Sequence, residues 1–188
     1  MTVIGVFLGS VREGRFGQAV ADWVMEAARE REGFEYRLLD LAEFAVPHIT
    51  TNTMPAMAKK QYEDEAVTRW SEAVDACDGF VFISPEYNHS VPGTMKNAFD
   101  SLYSEWLKKP VAFVSYGGDG GIRAVEHWRQ IVGNLSMFDV RNQVPLLIFG
   151  PDATDGEFTP REEKRPALDK MLGDLERALG SAPASAPQ

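Results

Sequence analysis

Three segments of the 188-residue chain concentrate side chains able to hold an anion or a flat ring. The first is Gly9-Ser10-Val11-Arg12-Glu13-Gly14-Arg15-Phe16-Gly17-Gln18, and a helical pattern begins at its end. Backbone N–H groups and the dipole at a helix N-terminus favour an anion, and a guanidinium can grip a phosphate through two hydrogen bonds. Small residues, a hydroxyl, an amide and two arginines in one loop suit a phosphate cradle. Taken alone, the segment reads equally as a solvated turn with surface arginines. It is neither the G-x-x-x-x-G-K-[ST] loop of triphosphate binders nor the G-x-G-x-x-G turn of dinucleotide folds.

The second segment is Ser84-Pro85-Glu86-Tyr87-Asn88-His89-Ser90-Val91-Pro92-Gly93-Thr94-Met95-Lys96-Asn97-Ala98. Two prolines stiffen it, while Tyr87, Asn88 and His89 supply a flat face and hydrogen-bonding groups of the kind that line a site for a planar heterocycle. Alone it is also a proline-braced turn. In the third segment, Ser115-Tyr116-Gly117-Gly118-Asp119-Gly120-Gly121, glycines remove side chains where a flat ligand needs close backbone approach. Alone it reads as a hinge. Together they offer a phosphate site, a ring wall and a backbone platform, which describes a flavin mononucleotide site better than a sugar or metal site.

Alternating strands and helices must position these loops. Short apolar runs at residues 3–8, 36–41, 80–83, 111–115 and 144–149 read as strands, and the first, third and fourth lead directly into the three segments. Helical spacing of apolar residues predicts helices over 16–31, 65–77, 94–107 and 121–136, and a last one striped by Leu168, Met171, Leu172, Leu175 and Leu179. Residues 42–63 read as a long loop with at most short helical turns. Five strand–helix units predict an α/β domain over residues 1–180, with a parallel sheet covered on both faces. Ligands in such folds bind beyond the carboxyl ends of the strands. The small-residue tail 181–188 reads as disordered.

Composition excludes other classes. Lys plus Arg total 19 against 28 Asp plus Glu, a net charge of −9, which argues against nucleic acid or anionic lipid as the main partner. A single cysteine cannot build a disulfide framework or a thiolate metal site. His48, His89 and His127 are too scattered for metal spacing, and the acidic stretch 152–157 lacks a calcium-loop pattern and reads as a solvated loop. No apolar run approaches the ~20 residues needed to span a bilayer, and the first residues lack signal-peptide character, so the expectation is a cytoplasmic protein.

GSVREGRFGQAVADWV, SPEYNHSVPGTMKNAFD and SYGGDGGIRA resemble the three signature stretches of the NADPH-dependent FMN reductase family, in matching order across about residues 1–180. The resemblance implies a flavodoxin-like three-layer sandwich with strand order 2-1-3-4-5. It also implies bound FMN that takes hydride from NADPH or NADH and passes electrons to a quinone, azo dye, metal oxyanion or free flavin. Ser10, Arg12, Phe16, Gly17 and Gln18 match its phosphate loop. Arg15 stands where many members carry a serine, which puts it forward as that hydroxyl's replacement. Pro85, Glu86, Tyr87 and Asn88 match the loop along the ring, with His89 at a variable position. Ser115, Tyr116, Gly117, Gly118, Gly120 and Gly121 fall in the third loop. No catalytic residue is assigned, and Tyr87 and His89 are only candidates for protonating an acceptor. In the family that the chain resembles, a neighbouring subunit helps wall the ring, so a homodimer or dimer of dimers is expected, and Trp106 and Trp128 are left open between interface and core. One platform in a chain too short for a second domain predicts ping-pong kinetics. A flavodoxin-type carrier without NAD(P)H oxidation is the alternative, against which Arg12 and Arg15 count, since such carriers have Thr/Ser-rich phosphate loops. A flavin-free interaction module is a third.

Overall fold

Residues 80–83 of the chain alternate phenylalanine with aliphatic residues, and in a strand such alternation sends the two sets to opposite faces. In the computed structural model, which describes residues 1–181, both faces are buried. The central strands β1 (Thr2–Leu8), β3 (Gly79–Pro85) and β4 (Pro110–Gly117) are flanked by β2 (Phe34–Asp40) and β5 (Phe138–Leu147). All pair in parallel in the order β2-β1-β3-β4-β5. β3 and β4 are buried throughout, as strands covered on both sides must be.

Helices α1 (Gly17–Arg29) and α6 (Lys164–Ser181) cover one face over an aliphatic core that includes Val6, Val81, Val114, Val24 and Leu172. Helices α3 (Glu65–Asp75), α4 (Gly93–Asp100) and α5 (Ile122–Asn134) cover the other, where the core is aromatic. Phe82 packs edge-on against Trp128 and Trp106, with ring centroids 5.4 and 5.8 Å apart. Both tryptophans are fully buried within one copy of the chain, and their Nε1 groups donate to Ser84 Oγ and the Phe99 carbonyl. They are core residues. The architecture is the flavodoxin-like sandwich that the sequence predicts.

Some features differ from expectation. The helix predicted over 94–107 stops at Asp100, and Trp106 lies in the turns that follow, where its indole packs against the rings of Phe80 and Phe99. β5 begins at Phe138, well before Val144. Its start was hidden by polar Arg141, Asn142 and Gln143 and by an irregularity where β4 advances from Val111 to Phe113 while β5 passes from Asp139 to Gln143. Residues 42–63 are the long loop expected, with only the end of the short helix α2 (Leu41–Phe44) and a single 3-10 turn, Pro55–Met57. The acidic stretch is not simply a solvated loop. It forms a hairpin of β6 (Ala153–Thr154) and β7 (Glu157–Phe158), with Asp152 fully buried and accepting hydrogen bonds from Leu147 N at 2.9 Å and Arg161 Nε at 3.0 Å. Helix α6 runs on to Ser181, and the rest of the predicted tail lies outside the described residues.

Candidate functional site

Parallel pairing brings the carboxyl ends of β1, β3 and β4 to one edge, and the three segments meet there. Glu86 N donates to the Tyr116 carbonyl at 3.0 Å, joining the second and third loops. The Ser10 and Tyr87 hydroxyls share a hydrogen bond of 3.1 Å, joining the first and second. α1 then opens at Gly17 with no side-chain cap and no acidic residue in its first turn, leaving its positive end without a side-chain partner from the chain.

Gly17 is required by packing. A Cβ there would lie 2.5 Å from the Tyr116 hydroxyl, which is buried beneath the start of α1. That hydroxyl, close to Ser10, meets no hydrogen-bond partner among the described residues, and burial raises its ionisation well above the usual phenol range. Phe16 packs behind the loop, its ring 5.9 Å from Tyr116 and 5.6 Å from Phe158.

The two arginines differ. Arg15 is largely buried, donating Nη1 to the Ser10 carbonyl and to Asp40 Oδ1, each at 2.7 Å, and Nη2 to Gln18 Oε1 at 2.9 Å and to the second Asp40 oxygen. The Gln18 amide is thereby used inside the protein, its Nε2 donating to Asp22 at 3.1 Å. Arg12 is exposed and makes no hydrogen bond or ion pair among the described residues.

In the second loop, Tyr87 and Ser90 exchange both backbone hydrogen bonds across Asn88 (φ 48°) and His89 (φ 71°). Two successive positive φ angles make this a two-residue hairpin turn of the primed type. Its tip residues, Asn88 and His89, are exposed, and Ser90 Oγ bonds His127 Nδ1 at 2.8 Å. Pro85 is buried at the end of β3. The Glu86 carboxylate points at α5, accepting from Arg123 N at 3.0 Å and Arg123 Nη1 at 2.7 Å. It supplies the cap that Gly121, the N-cap of α5, has no side chain to provide.

In the third loop, buried Ser115 donates to the Gly120 carbonyl at 2.7 Å. Gly121 has φ 72°, and a Cβ there would lie 2.8 Å from Tyr116 N, so this glycine serves the loop's own turn. Gly118, beside exposed Gly-loop residue Asp119, is itself exposed and open above its Cα, with only Phe149 near, 3.8 Å from where a Cβ would stand.

Beside these loops, a 300 Å³ cavity lies between Val11, Leu41, Val46, His48, Thr94 and Asn97. A larger one of 470 Å³ lies under residues 47–64. Asn97 holds that segment, donating to the Pro47 carbonyl at 2.8 Å and accepting from Ile49 N at 3.2 Å. Tyr62 is tied to buried Glu105 at 2.6 Å. Asp40 and Glu105 carry no motif in the sequence, and only Asp40's place near the end of a predicted strand marked it; Arg123 falls in the third signature stretch, where no role was assigned to it. Among the described residues, no group of His, Cys, Asp and Glu is gathered to hold a metal. Cys77 is packed, and burial pushes its thiol up to about 11.

A three-layer sandwich whose site is three loops at the carboxyl edge of a parallel sheet defines a flavodoxin-like protein. Residues 1–149 match the family described as NADPH-dependent FMN reductase, and the chain belongs to that family of oxidoreductases. It is 35% identical to an NAD(P)H-dependent FMN reductase of Schizosaccharomyces pombe, over 93% of this chain and 86% of that protein. It is 32% identical to an NADPH azoreductase of a Bacillus species, over 76% of each chain. Among solved structures it resembles the flavoenzyme NAD(P)H:(acceptor) oxidoreductase FerB of Paracoccus denitrificans, with TM-score 0.73 and 22% identity over 95% of this chain and 97% of that one.

Proposed function

We propose that the chain is an FMN-dependent NAD(P)H oxidoreductase that reduces a small quinone, azo or related acceptor by a ping-pong mechanism. The observation that carries this reading is the open end of α1 beside an unpaired Arg12, set at the edge where the other two loops converge. These residues fit a terminal phosphate: a helix N-terminus without a side-chain cap, a free guanidinium, and no acidic residue in the first helical turn. Arg12 and the first N–H groups of α1 would hold the phosphate. The Tyr87–Ser90 hairpin and the exposed backbone at Gly118 would flank the ring. When bound, FMN would supply the hydride chemistry itself, so no acid or base of the protein need act in that step. The chain's part is to bind, orient and leave one face open, with Tyr87 and exposed His89 within the same loop as proton donors to an acceptor. Arg15 and the Glu86 carboxylate act through their contacts to the loops. Support for the acceptor class comes from the names of the relatives. We place the protein in the cytoplasm as a homodimer or dimer of dimers; no described helix is long and apolar enough to cross a membrane.

A flavin assay on the purified protein, followed by an acceptor screen with NADH and NADPH, tests the reading. Bound FMN and steady nucleotide oxidation with a quinone are expected. Flavin bound without nucleotide oxidation would make the chain an electron carrier, and failure to bind flavin would overturn the site.

A further inference from the structure

We infer that Asp40, the last residue of β2, is a positioning residue for the loop after β1. It holds Arg15 as an internal strut, so that Arg12 is the guanidinium presented to a phosphate. The inference rests on the phosphate-loop reading above and assigns the two arginines separate roles within it.

The geometry is that of a planar fork on a carboxylate. Both terminal nitrogens of Arg15 meet Asp40, and Nη1 also reaches back to the Ser10 carbonyl at 2.7 Å. The Arg15 and Asp40 side chains retain only 14% and 11% of their exposure, so the pair is shielded from the screening that makes surface ion pairs weak. Asp40 is itself fixed. Its backbone pairs with Leu8 at the end of β1, and its Oδ1 accepts from Ala42 N at 3.0 Å as the cap of α2. The strut therefore runs from the rigid sheet across the base of the loop to Ser10, whose hydroxyl continues the link to Tyr87.

Charge follows the same division. Arg15 is neutralised inside the protein, and drawing it to a phosphate would strand the Asp40 carboxylate beside a second anion. Arg12 has no such partner among the described residues. Removing Arg15 alone should thus do two things: loosen the loop and expose the incoming phosphate to an unpaired carboxylate. Removing the Asp40 charge as well should relieve the second effect.

The test measures FMN and riboflavin affinity of the flavin-stripped protein by fluorescence titration, with thermal melts, for wild type, Asp40→Asn, Arg15→Gln and the double variant. Asp40→Asn should weaken FMN on the order of 10-fold, the low end of what losing an outer-shell partner costs at metal sites, while riboflavin binding is unchanged. Arg15→Gln should weaken FMN further, and adding Asp40→Asn to it should recover affinity. A residue needed only for folding would lower both flavins together. Should Arg15→Gln fail to fold, the double variant decides against Asp40→Asn alone: equal FMN affinity supports the strut, and a further loss means that Arg15 touches the phosphate. Tighter FMN binding by Asp40→Asn would likewise overturn the inference, because it would show Arg15 freed for the ligand. If the wild type binds riboflavin as tightly as FMN, the phosphate-loop reading fails instead, which separates the two.

Discussion

Arg12 and the buried Tyr116 hydroxyl make no hydrogen bond among the described residues, and each yields a measurable consequence. A charge-assisted hydrogen bond contributes roughly 1.5–3 kcal/mol, so Arg12→Ala should weaken FMN binding on the order of 10- to 150-fold. Riboflavin, which lacks the phosphate, should bind the variant as it binds wild type, and calorimetry showing equal losses for both flavins would remove Arg12 from the phosphate. Tyr116 presents the opposite case. Its hydroxyl is desolvated and unsatisfied, which costs about 1–3 kcal/mol. Tyr116→Phe keeps the ring contact with Phe16 and removes that cost, so the flavin-free variant should melt above wild type. A lower melting temperature would mean that the hydroxyl has a partner in solution, such as a buried water. Gly17→Ala, by contrast, should destabilise, because the added Cβ meets the same hydroxyl.

Elements of regular period were legible in the sequence, and elements fixed by distant contacts were not. Phe80 to Ile83 announce β3 by composition alone, and the glycine and proline punctuation places the three loops at strand ends. Nothing local marks the halt of α4 at Asp100, since Trp106 is drawn off by rings on β1 and β3. Likewise Glu86 reads as a ring-loop residue, yet its carboxylate caps a helix that begins far along the chain. Arg15 reads as a ligand residue because its partner, Asp40, is on another strand. Glu105 is the same kind of long-range device, joining the segment before α3 to α3 itself and to the turns after α4. Burial alone would raise its carboxyl, but hydrogen bonds from Ser71 and Tyr62, both at 2.6 Å, and from backbone N–H groups hold it below the usual carboxylate range. A group whose folded value lies below its unfolded one stabilises above the unfolded value, and that contribution is lost as pH falls through the folded one. Chemical denaturation from pH 7 downward should therefore show a stability loss beginning near pH 4.3, the unfolded glutamate value. Glu105→Gln should be about 1–3 kcal/mol less stable at pH 7 and should lose less on acidification. Parallel acid limbs for the two proteins would show that Glu105 does not carry the effect.

Because Trp106 and Trp128 are both satisfied within one copy, association between copies has to draw on other surface. The exposed apolar side chains Ile49, Met54 and Met57 sit on the segment that walls the larger cavity beside the site. Light scattering should report at least twice the 20.9 kDa chain mass, and a single-chain mass would refute the dimer. On the proposed reading the ring lies at the edge where the three loops meet, between the exposed tip of the Tyr87–Ser90 hairpin and exposed Gly118. The described residues form one five-stranded sheet with its helices, joined by irregular segments such as residues 45–64 and by the small β6–β7 hairpin, and this single sheet carries the site. On the proposed ping-pong mechanism, NAD(P)H and the acceptor occupy the same opening in turn, the first leaving before the second arrives. Initial rates measured against varied acceptor at several nucleotide concentrations should give parallel double-reciprocal lines. High acceptor should inhibit competitively against nucleotide, because it occupies the opening before the nucleotide can. Intersecting lines, or a complex holding a dead-end nucleotide and a quinone together, would show two separate places on the protein and overturn the shared opening while leaving the phosphate cradle intact.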